Sequence, residues 1–295
     1  GEKTIAIASF TFAAGAQAIL WHGYRPAWID IDAETLQPSI SSLLELASKD
    51  ERVAGILLTN TFGIGNRDVA EWESLARDIG SPLIIDSAAG FGSTYPGNER
   101  LGARGDCEVF SFHATKPFAI GEGGAITTRN PETAERMREF TNFGFHGSEG
   151  SAGIGLNGKL QELNAAIGRR QLATFENTLI SRKQTLGRYM ASFEDRSLRF
   201  PADIESSSIC FASIVLDNQD DVAPLLNSLT ASSVEARTYY SPLLHNQPLF
   251  QNANQSVSLA ASESIASRVV SLPVLPQMSE EEVAVVVDAV RPVLQ

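Results

Sequence analysis

Lys116 occupies a poor setting for an ordinary surface lysine. It falls within Ser111 to Thr128, SFHATKPFAIGEGGAITT, between an apolar strand-like run and a glycine-rich turn, with Phe112, Pro117, Phe118 and Ile120 close by in sequence. Apolar neighbours strip water from an amine, lower its pKa and make it a nucleophile. Upstream, the run Pro82, Leu83, Ile84, Ile85 ends in Asp86, and the small residues Ser87, Ala88, Ala89 and Gly90 follow, which let a flat ligand approach the backbone. An amine that can form a Schiff base, with a carboxylate about one strand away to keep a pyridinium nitrogen protonated, is the minimal protein contribution to pyridoxal phosphate (PLP) chemistry. The same amine, once released, can carry a proton between substrate carbon and cofactor, so Lys116 would be both anchor and base. Each residue also has an ordinary reading: Lys116 as a solvated lysine at a strand end, Asp86 as a turn cap.

The elements that must position these residues alternate in period, which predicts an α/β architecture with a mainly parallel central sheet flanked by helices. Thr4 to Ala8, Ala27 to Ile31, Val53 to Thr59, Pro82 to Asp86 and Cys107 to Phe112 read as short apolar strands. Ala13 to His22, Ser39 to Ser48 and Asp68 to Ile79 read as helices, the last with Asp68 as its N-cap. A helix is expected from Pro131 to Thr141, then a glycine-rich loop from Gly144 to Gly158, then one long connecting helix from Leu160 to about Phe193. Beyond about Leu198 the texture shifts to a strand at Ile209 to Leu216, a helix at Val222 to Leu229 and a closing helix capped by Ser279. The expected division is a large cofactor-binding part, 1–195, and a smaller C-terminal α+β part, 196–295. Ligands of such parallel sheets sit beyond the carboxyl ends of the strands, where Asp86 falls.

With 295 residues, 43% of them hydrophobic, the chain is long enough for a sizeable core. A net charge of −12 without any concentrated basic stretch argues against a nucleic-acid partner. Cys107 and Cys210 are far apart and suggest neither a disulfide framework nor a zinc site. No other metal-ligand spacing occurs, so no metal is expected. No apolar run reaches the roughly 20 residues that span a bilayer, and no signal-peptide core is visible at the start, so no membrane partner is expected and a reducing cytoplasm fits best. Gly121, Glu122, Gly123 and Gly124 read as a tight turn rather than a phosphate loop.

Five segments in order carry a family resemblance: Ser9, Phe10, Thr11, Phe12; Asp86; the lysine segment; Ile154 to Leu163, IGLNGKLQEL; and Tyr239 to His245, YYSPLLH, with Ser271, Leu272, Pro273 after it. On these the chain resembles the DegT/DnrJ/EryC1/StrS family of PLP-dependent sugar aminotransferases, of the aspartate aminotransferase fold, fold type I. The resemblance covers nearly the whole chain. It implies amino transfer to a nucleotide-linked keto-deoxysugar, with an amino acid, glutamate, as donor. It implies Lys116 and Asp86 in the roles given above, the Phe12 ring over the cofactor face and the Ser111 hydroxyl at the cofactor phosphate. His245 and Tyr239 would face substrate, although single histidines are usually structural; His146 has the same two readings, and His113 is given no role. Asn157 and Lys159 match a segment that reaches the neighbouring subunit's site, which implies a homodimer with shared active sites; on types alone they read equally as a helix-capping Asn and a solvated Lys.

Two departures stand out. Where the family commonly has a Gln or His contacting the cofactor's O3′, this sequence has Ala89, which leaves Asn60 or another group to make the contact or leaves it unmade. The strand at Thr4 to Ala8 would follow an earlier strand and helix that hold the cofactor phosphate, so the resemblance implies a chain lacking its N-terminal segment. Two other functions stay in view: a PLP-dependent sugar dehydratase, whose branch replaces the lysine with histidine, and a noncatalytic or regulatory remnant of the same fold.

Overall fold

Short β-branched runs separated by amphipathic stretches cannot pair as hairpins, so they pair in parallel with helical crossovers. That arrangement is seen in the computed structural model, which describes residues 3–49, 53–147, 150–251, 253 and 255–294. Gly1 and Glu2 lie outside the described residues, as do positions 148 and 149 of the glycine-rich loop. The main sheet contains β1 (Thr4–Ala8), β2 (Arg25–Ile29), β3 (Val53–Thr59) and β4 (Leu83–Asp86); a short hairpin, β5 (Thr94–Tyr95) and β6 (Glu99–Arg100), separates these from β7 (Cys107–Ser111) and β8 (Gly124–Thr127). Its order is β2-β1-β3-β4-β7-β8, parallel throughout except that β8 runs antiparallel to β7. Helices α1 (Ala13–Trp21), α2 (Ile40–Ser48) and α3 (Val69–Asp78) supply the crossovers, and Trp28, Trp72, Ile7 and Ile85 are wholly buried between layers. From β1 the chain winds outward to β2 and then crosses back to β3, so the winding reverses between β1 and β3. A crevice is expected at that reversal, beyond the carboxyl ends of the strands.

Beyond β8 come α4 (Pro131–Thr141), α5 (Glu162–Leu172) and α6 (Phe175–Ser192). The single long helix expected from Leu160 is therefore two. The amide and hydroxyl of Thr174 both turn back to the Gln171 carbonyl, at 3.1 and 3.3 Å, ending the first helix. The break lets Phe175 turn inward against Phe91 and Phe118. The C-terminal part holds an antiparallel sheet of β9 (Leu198–Arg199), β10 (Ala212–Leu216) and β11 (Val269–Leu272), with α7 (Val222–Ala231), α8 (Ala260–Ala266) and α9 (Glu280–Val290). Helix α9 opens on Ser279, the N-cap its sequence predicts, which forms a reciprocal capping box with Glu282. Asp68 precedes α3 but its side chain makes no cap bond; instead its N–H donates to Asn66 Oδ1 at 2.9 Å. One apolar core runs through both sheets, and a smaller aromatic cluster of Phe118, Ile120, Phe175 and Leu179 lies under the lysine loop.

Candidate active site

Strand β7 delivers the lysine loop. After Ser111 the chain doubles back: Phe112 N–H donates to Gly123 O and Ala114 N–H to Gly121 O, both at 2.8 Å, and Ile120 N–H donates to Phe112 O at 2.9 Å. Gly121, at φ 90°, adopts a left-handed backbone that a side chain would strain. Below, Phe91 packs on Phe112, Phe118 and Phe175 with ring centroids 4.9–5.4 Å apart. Aromatic packing thus fixes the loop from beneath. Lys116 is half-buried, its own N–H bonds to His113 O at 2.9 Å, and its Nζ has no hydrogen-bond or ion-pair partner among the described residues.

Asp86 ends β4, adjacent to the ends of β3 and β7. Its carbonyl accepts the Asn60 N–H at 2.9 Å, and its Oδ1 accepts the Ala88 N–H at 3.0 Å. Burial pushes the carboxyl above the ordinary aspartate range, opposed by the Ala88 N–H and the positive charge of Lys116. The two predicted residues therefore share one electrostatic environment. A third member is Cys210, absent from the sequence expectation, whose thiol reaches the Thr115 carbonyl at 3.6 Å; burial raises its pKa and the charge of Lys116 opposes this.

Asn60, a candidate for the contact that Ala89 leaves open, has its carboxamide engaged within the protein. Its Nδ2 donates to Ser87 Oγ at 2.7 Å and Tyr95 Oη at 3.1 Å, and its Oδ1 accepts the Asn66 N–H at 2.9 Å. The carboxamide is spent within a buried network.

Beyond β1, Phe12 stands at the start of α1 with its ring 62% exposed, an apolar face open to a ligand. Its neighbour Thr11 donates to Thr59 Oγ1 at 3.2 Å, joining the ends of β1 and β3 across the winding reversal. Tyr240 covers the same strand ends from the C-terminal part: its ring lies parallel to Phe62 and edge-on to Phe10, each at 5.5 Å. Burial, and next the charge of Asp86, push its phenol well above the usual range. Tyr240 is a site residue that sequence reasoning passed over, although it adjoins Tyr239. Tyr239 itself packs on Phe211 at 5.2 Å. The ring of His245 is committed on both sides, with Nδ1 2.7 Å from Ser9 Oγ and Nε2 3.5 Å from Glu263 Oε1.

Ser111 is half-buried and its Oγ accepts the His113 N–H at 3.3 Å, leaving its own hydroxyl proton to give. His113 turns to Thr115, at 2.8 Å, and to Glu122, and His146 pairs with Glu139 on the surface. Asn157 and Lys159 are exposed on the segment that bridges back to the end of α4: Asn157 pairs with Asn142, and Lys159 Nζ donates to Asn142 Oδ1 at 3.2 Å, over the Phe143 ring. No contact joins them to Lys116 or Asp86 among the described residues. The structure thus brings Lys116 and Asp86 together and sets Asn157 and Lys159 on an outward-facing segment.

This set of groups fits PLP. An unclaimed amine, a buried carboxylate with a single side-chain acceptor bond, and an open aromatic face are the partners that an aldehyde, a pyridinium nitrogen and a flat ring require. Among the described residues no cluster of His, Cys, Asp and Glu could hold a metal, and no helix is long and apolar enough to cross a membrane.

Comparison with known proteins adds an independent line. The sequence model of the DegT/DnrJ/EryC1/StrS aminotransferase family matches residues 1–291. The chain is 47% identical to Protein Rv3402c of Mycobacterium tuberculosis over 294 residues, 98% of this chain and 71% of that protein. It is 27% identical to dTDP-4-amino-4,6-dideoxy-D-glucose transaminase of Shigella dysenteriae over 287 residues, 96% of this chain and 77% of that protein. Among solved structures it superposes on DesI, determined in the presence of its TDP-sugar product, with a TM-score of 0.90 at 27% identity, over 99% of this chain and 74% of that one.

Proposed function

From the premise that the chain belongs to the DegT/DnrJ/EryC1/StrS aminotransferase family, we propose that it moves an amino group from glutamate to the keto group of a nucleotide-linked deoxysugar. The kind of enzyme follows from that membership: a PLP-dependent sugar aminotransferase with a mainly parallel α/β sheet. The observation that supports the assignment of residues is that the Lys116 amine, without a partner among the described residues, lies close enough to the half-buried carboxylate of Asp86, at a strand's carboxyl end, for its charge to act on it.

Bound PLP supplies an electron sink for the pair left on the substrate carbon when its proton departs. Lys116 anchors the cofactor and, once released, carries that proton at its Nζ. The carboxylate of Asp86 lacks a close counter-charge, and a protonated ring nitrogen supplies one while Asp86 keeps the proton in place. Phe12 covers one face of the ring and excludes water from it. Ser111 would donate a hydrogen bond from its hydroxyl to the phosphate, its Oγ already accepting the His113 N–H. Tyr239 lies toward the substrate side, and His245, held by Ser9 and Glu263, shapes that wall.

We further read the protein as a homodimer with shared sites, built from the parts 1–195 and 196–295. Asn157 and Lys159 project among exposed apolar side chains, including Ile154 at 92% and Leu163 at 71% exposure. A face of that kind is covered by a partner more often than left to water. The cytoplasm suits the free, buried Cys107 and Cys210.

The test is direct. Purified protein is loaded with PLP and given glutamate with a panel of dTDP-, UDP- and GDP-linked keto sugars, the nucleotides named in its relatives. Formation of an amino sugar with matching 2-oxoglutarate is expected for at least one; release of 2-oxoglutarate with none, or dehydration of the sugar instead, overturns the reading.

A further inference from the structure

Glu108 is a buried ionisable group to which the reaction above gives no work. It lies on β7 opposite Ile85 of β4, and it is wholly inaccessible to solvent. Its Oε1 accepts from Ser87 Oγ at 2.5 Å, Tyr95 Oη at 3.0 Å and Asn60 Nδ2 at 3.5 Å, and its Oε2 accepts from the Gly102 N–H at 2.6 Å. Each of these four contacts is a donor, so the cage is shaped for an acceptor-only carboxylate. No lysine or arginine forms an ion pair with it among the described residues. Burial pushes its pKa up, while the Ser87 hydroxyl, the Gly102 N–H and the Tyr95 hydroxyl oppose that.

A buried carboxylate without a cation is costly, and an apolar residue of similar size would fill the space more cheaply. What the carboxylate adds is a tie between segments distant in sequence. Asn60 follows β3, Ser87 follows β4, and Tyr95 belongs to the hairpin; their side chains meet on one oxygen. Two of these three hold Asp86 directly. Ser87 is the next residue in the chain, with its N–H on Val109 O at 2.9 Å, and the Asn60 N–H donates to the Asp86 carbonyl. The carbonyl of Asp86 and the residue that follows it are thereby tied, through Asn60 and Ser87, to one side chain.

We propose that Glu108 is a positioning residue for the reaction: by holding Asn60 and Ser87 it fixes the direction in which the Asp86 carboxylate meets the cofactor nitrogen. This rests on the reading of Asp86 given above.

The experiment compares wild type with Asp86→Asn, Glu108→Gln and Ser87→Ala in the full chain. Three quantities are measured: affinity of the apo-protein for PLP, the pH midpoint of the visible absorbance of bound PLP, and the urea midpoint of the apo-protein. Glu108→Gln puts an NH₂ group where donors converge. It is expected to weaken PLP binding about tenfold or more and to move the pH midpoint in the same direction as Asp86→Asn. Ser87→Ala is expected to do the same to a smaller degree. A lowered urea midpoint with unchanged affinity and unchanged pH midpoint in Glu108→Gln shows a merely structural group and overturns the proposal. If Glu108→Gln fails to fold, wild-type affinity and pH midpoint in Ser87→Ala overturn it instead. If Asp86→Asn itself keeps both wild-type values, the role of Asp86 falls and this inference with it. If Asp86→Asn alone departs from wild type, only the role of Glu108 falls.

Discussion

Ser9 Oγ lies 2.7 Å from Nδ1 of His245, joining the end of β1 to a turn 236 positions later. The same Oγ accepts the His245 N–H at 3.3 Å and Nε2 faces Glu263, an arrangement that suits a neutral ring with its proton on Nε2 and the serine donating to Nδ1. Leu244 N–H adds a bond to the Ser9 carbonyl at 3.1 Å. The stretch that leads into Phe12 is thus held from the C-terminal part of the chain, which makes His245 a neutral brace.

That brace has a pH signature. Burial holds the His245 pKa below its ordinary value of 6.5, against the pull of Glu263. The unfolded chain then binds the proton more readily, so the stability this group contributes is present above 6.5 and is lost as pH falls toward the folded value. His245→Ala should lower the urea midpoint at about pH 7.5, by roughly 1–2 kcal/mol of stability, and the difference from wild type should shrink at about pH 5. A difference that stays constant or grows on acidification contradicts the neutral brace.

Lys116 is expected to carry the cofactor covalently. Borohydride reduction of PLP-loaded protein followed by peptide mapping should label the peptide containing Lys116, and Lys116→Ala should lack both the label and the visible absorbance of bound PLP. A label on any other lysine rejects the assignment.

Asp86→Asn separates activity from stability. Loss of the charge opposite the ring nitrogen should cost at least about 3 kcal/mol of transition-state stabilisation, a hundredfold or more in turnover. The apo-protein should respond oppositely. Burial raises the Asp86 pKa in the folded state, so its contribution to stability is full below the ordinary value of 3.8 and is lost as pH rises through the folded value. Asparagine does not titrate, so Asp86→Asn should be more stable than wild type near neutrality, with the gap closing at about pH 3.5. Near wild-type turnover, or a gap that widens in acid, tells against the role given to Asp86.

Local signals were legible where local physics decides. Strands β1 and β3 fall on Thr4–Ala8 and Val53–Thr59 as their apolar runs predict, and Asp86 stands at the end of β4 where the apolar run Leu83 to Ile85 stops. Strand β8 was missed: Gly124, Ala125, Ile126 and Thr127 are small or half-exposed, and only pairing with β7 makes them a strand. The break before α6 depends on Phe175 finding Phe91 and Phe118, contacts that no helical period reveals. The same distance problem hid Tyr240 and Glu108, whose partners are remote in sequence. It also hid the engagement of Asn60, whose amide looks free until Ser87 and Tyr95 are folded against it.

Shared active sites make the most demanding prediction. Asn157 and Lys159 point outward, paired with Asn142 just past α4, while Lys116 and Asp86 lie near each other elsewhere on the chain. In the proposed homodimer these residues serve the site across the interface. A chain carrying Lys116→Ala, and a second carrying Asn157→Ala with Lys159→Ala, should each be inactive or weak as homodimers. In a heterodimer one of the two sites takes its lysine from the second chain and its outward segment from the first, so that site is free of every lesion. Up to about a quarter of wild-type activity per subunit should return on mixing, because roughly half the dimers are mixed and half their sites are intact. Exchange is verified by tagging the two chains differently and recovering the mixed species. Verified heterodimers without recovered activity would mean that each site is complete within one chain, and that the outward segment serves only to join subunits.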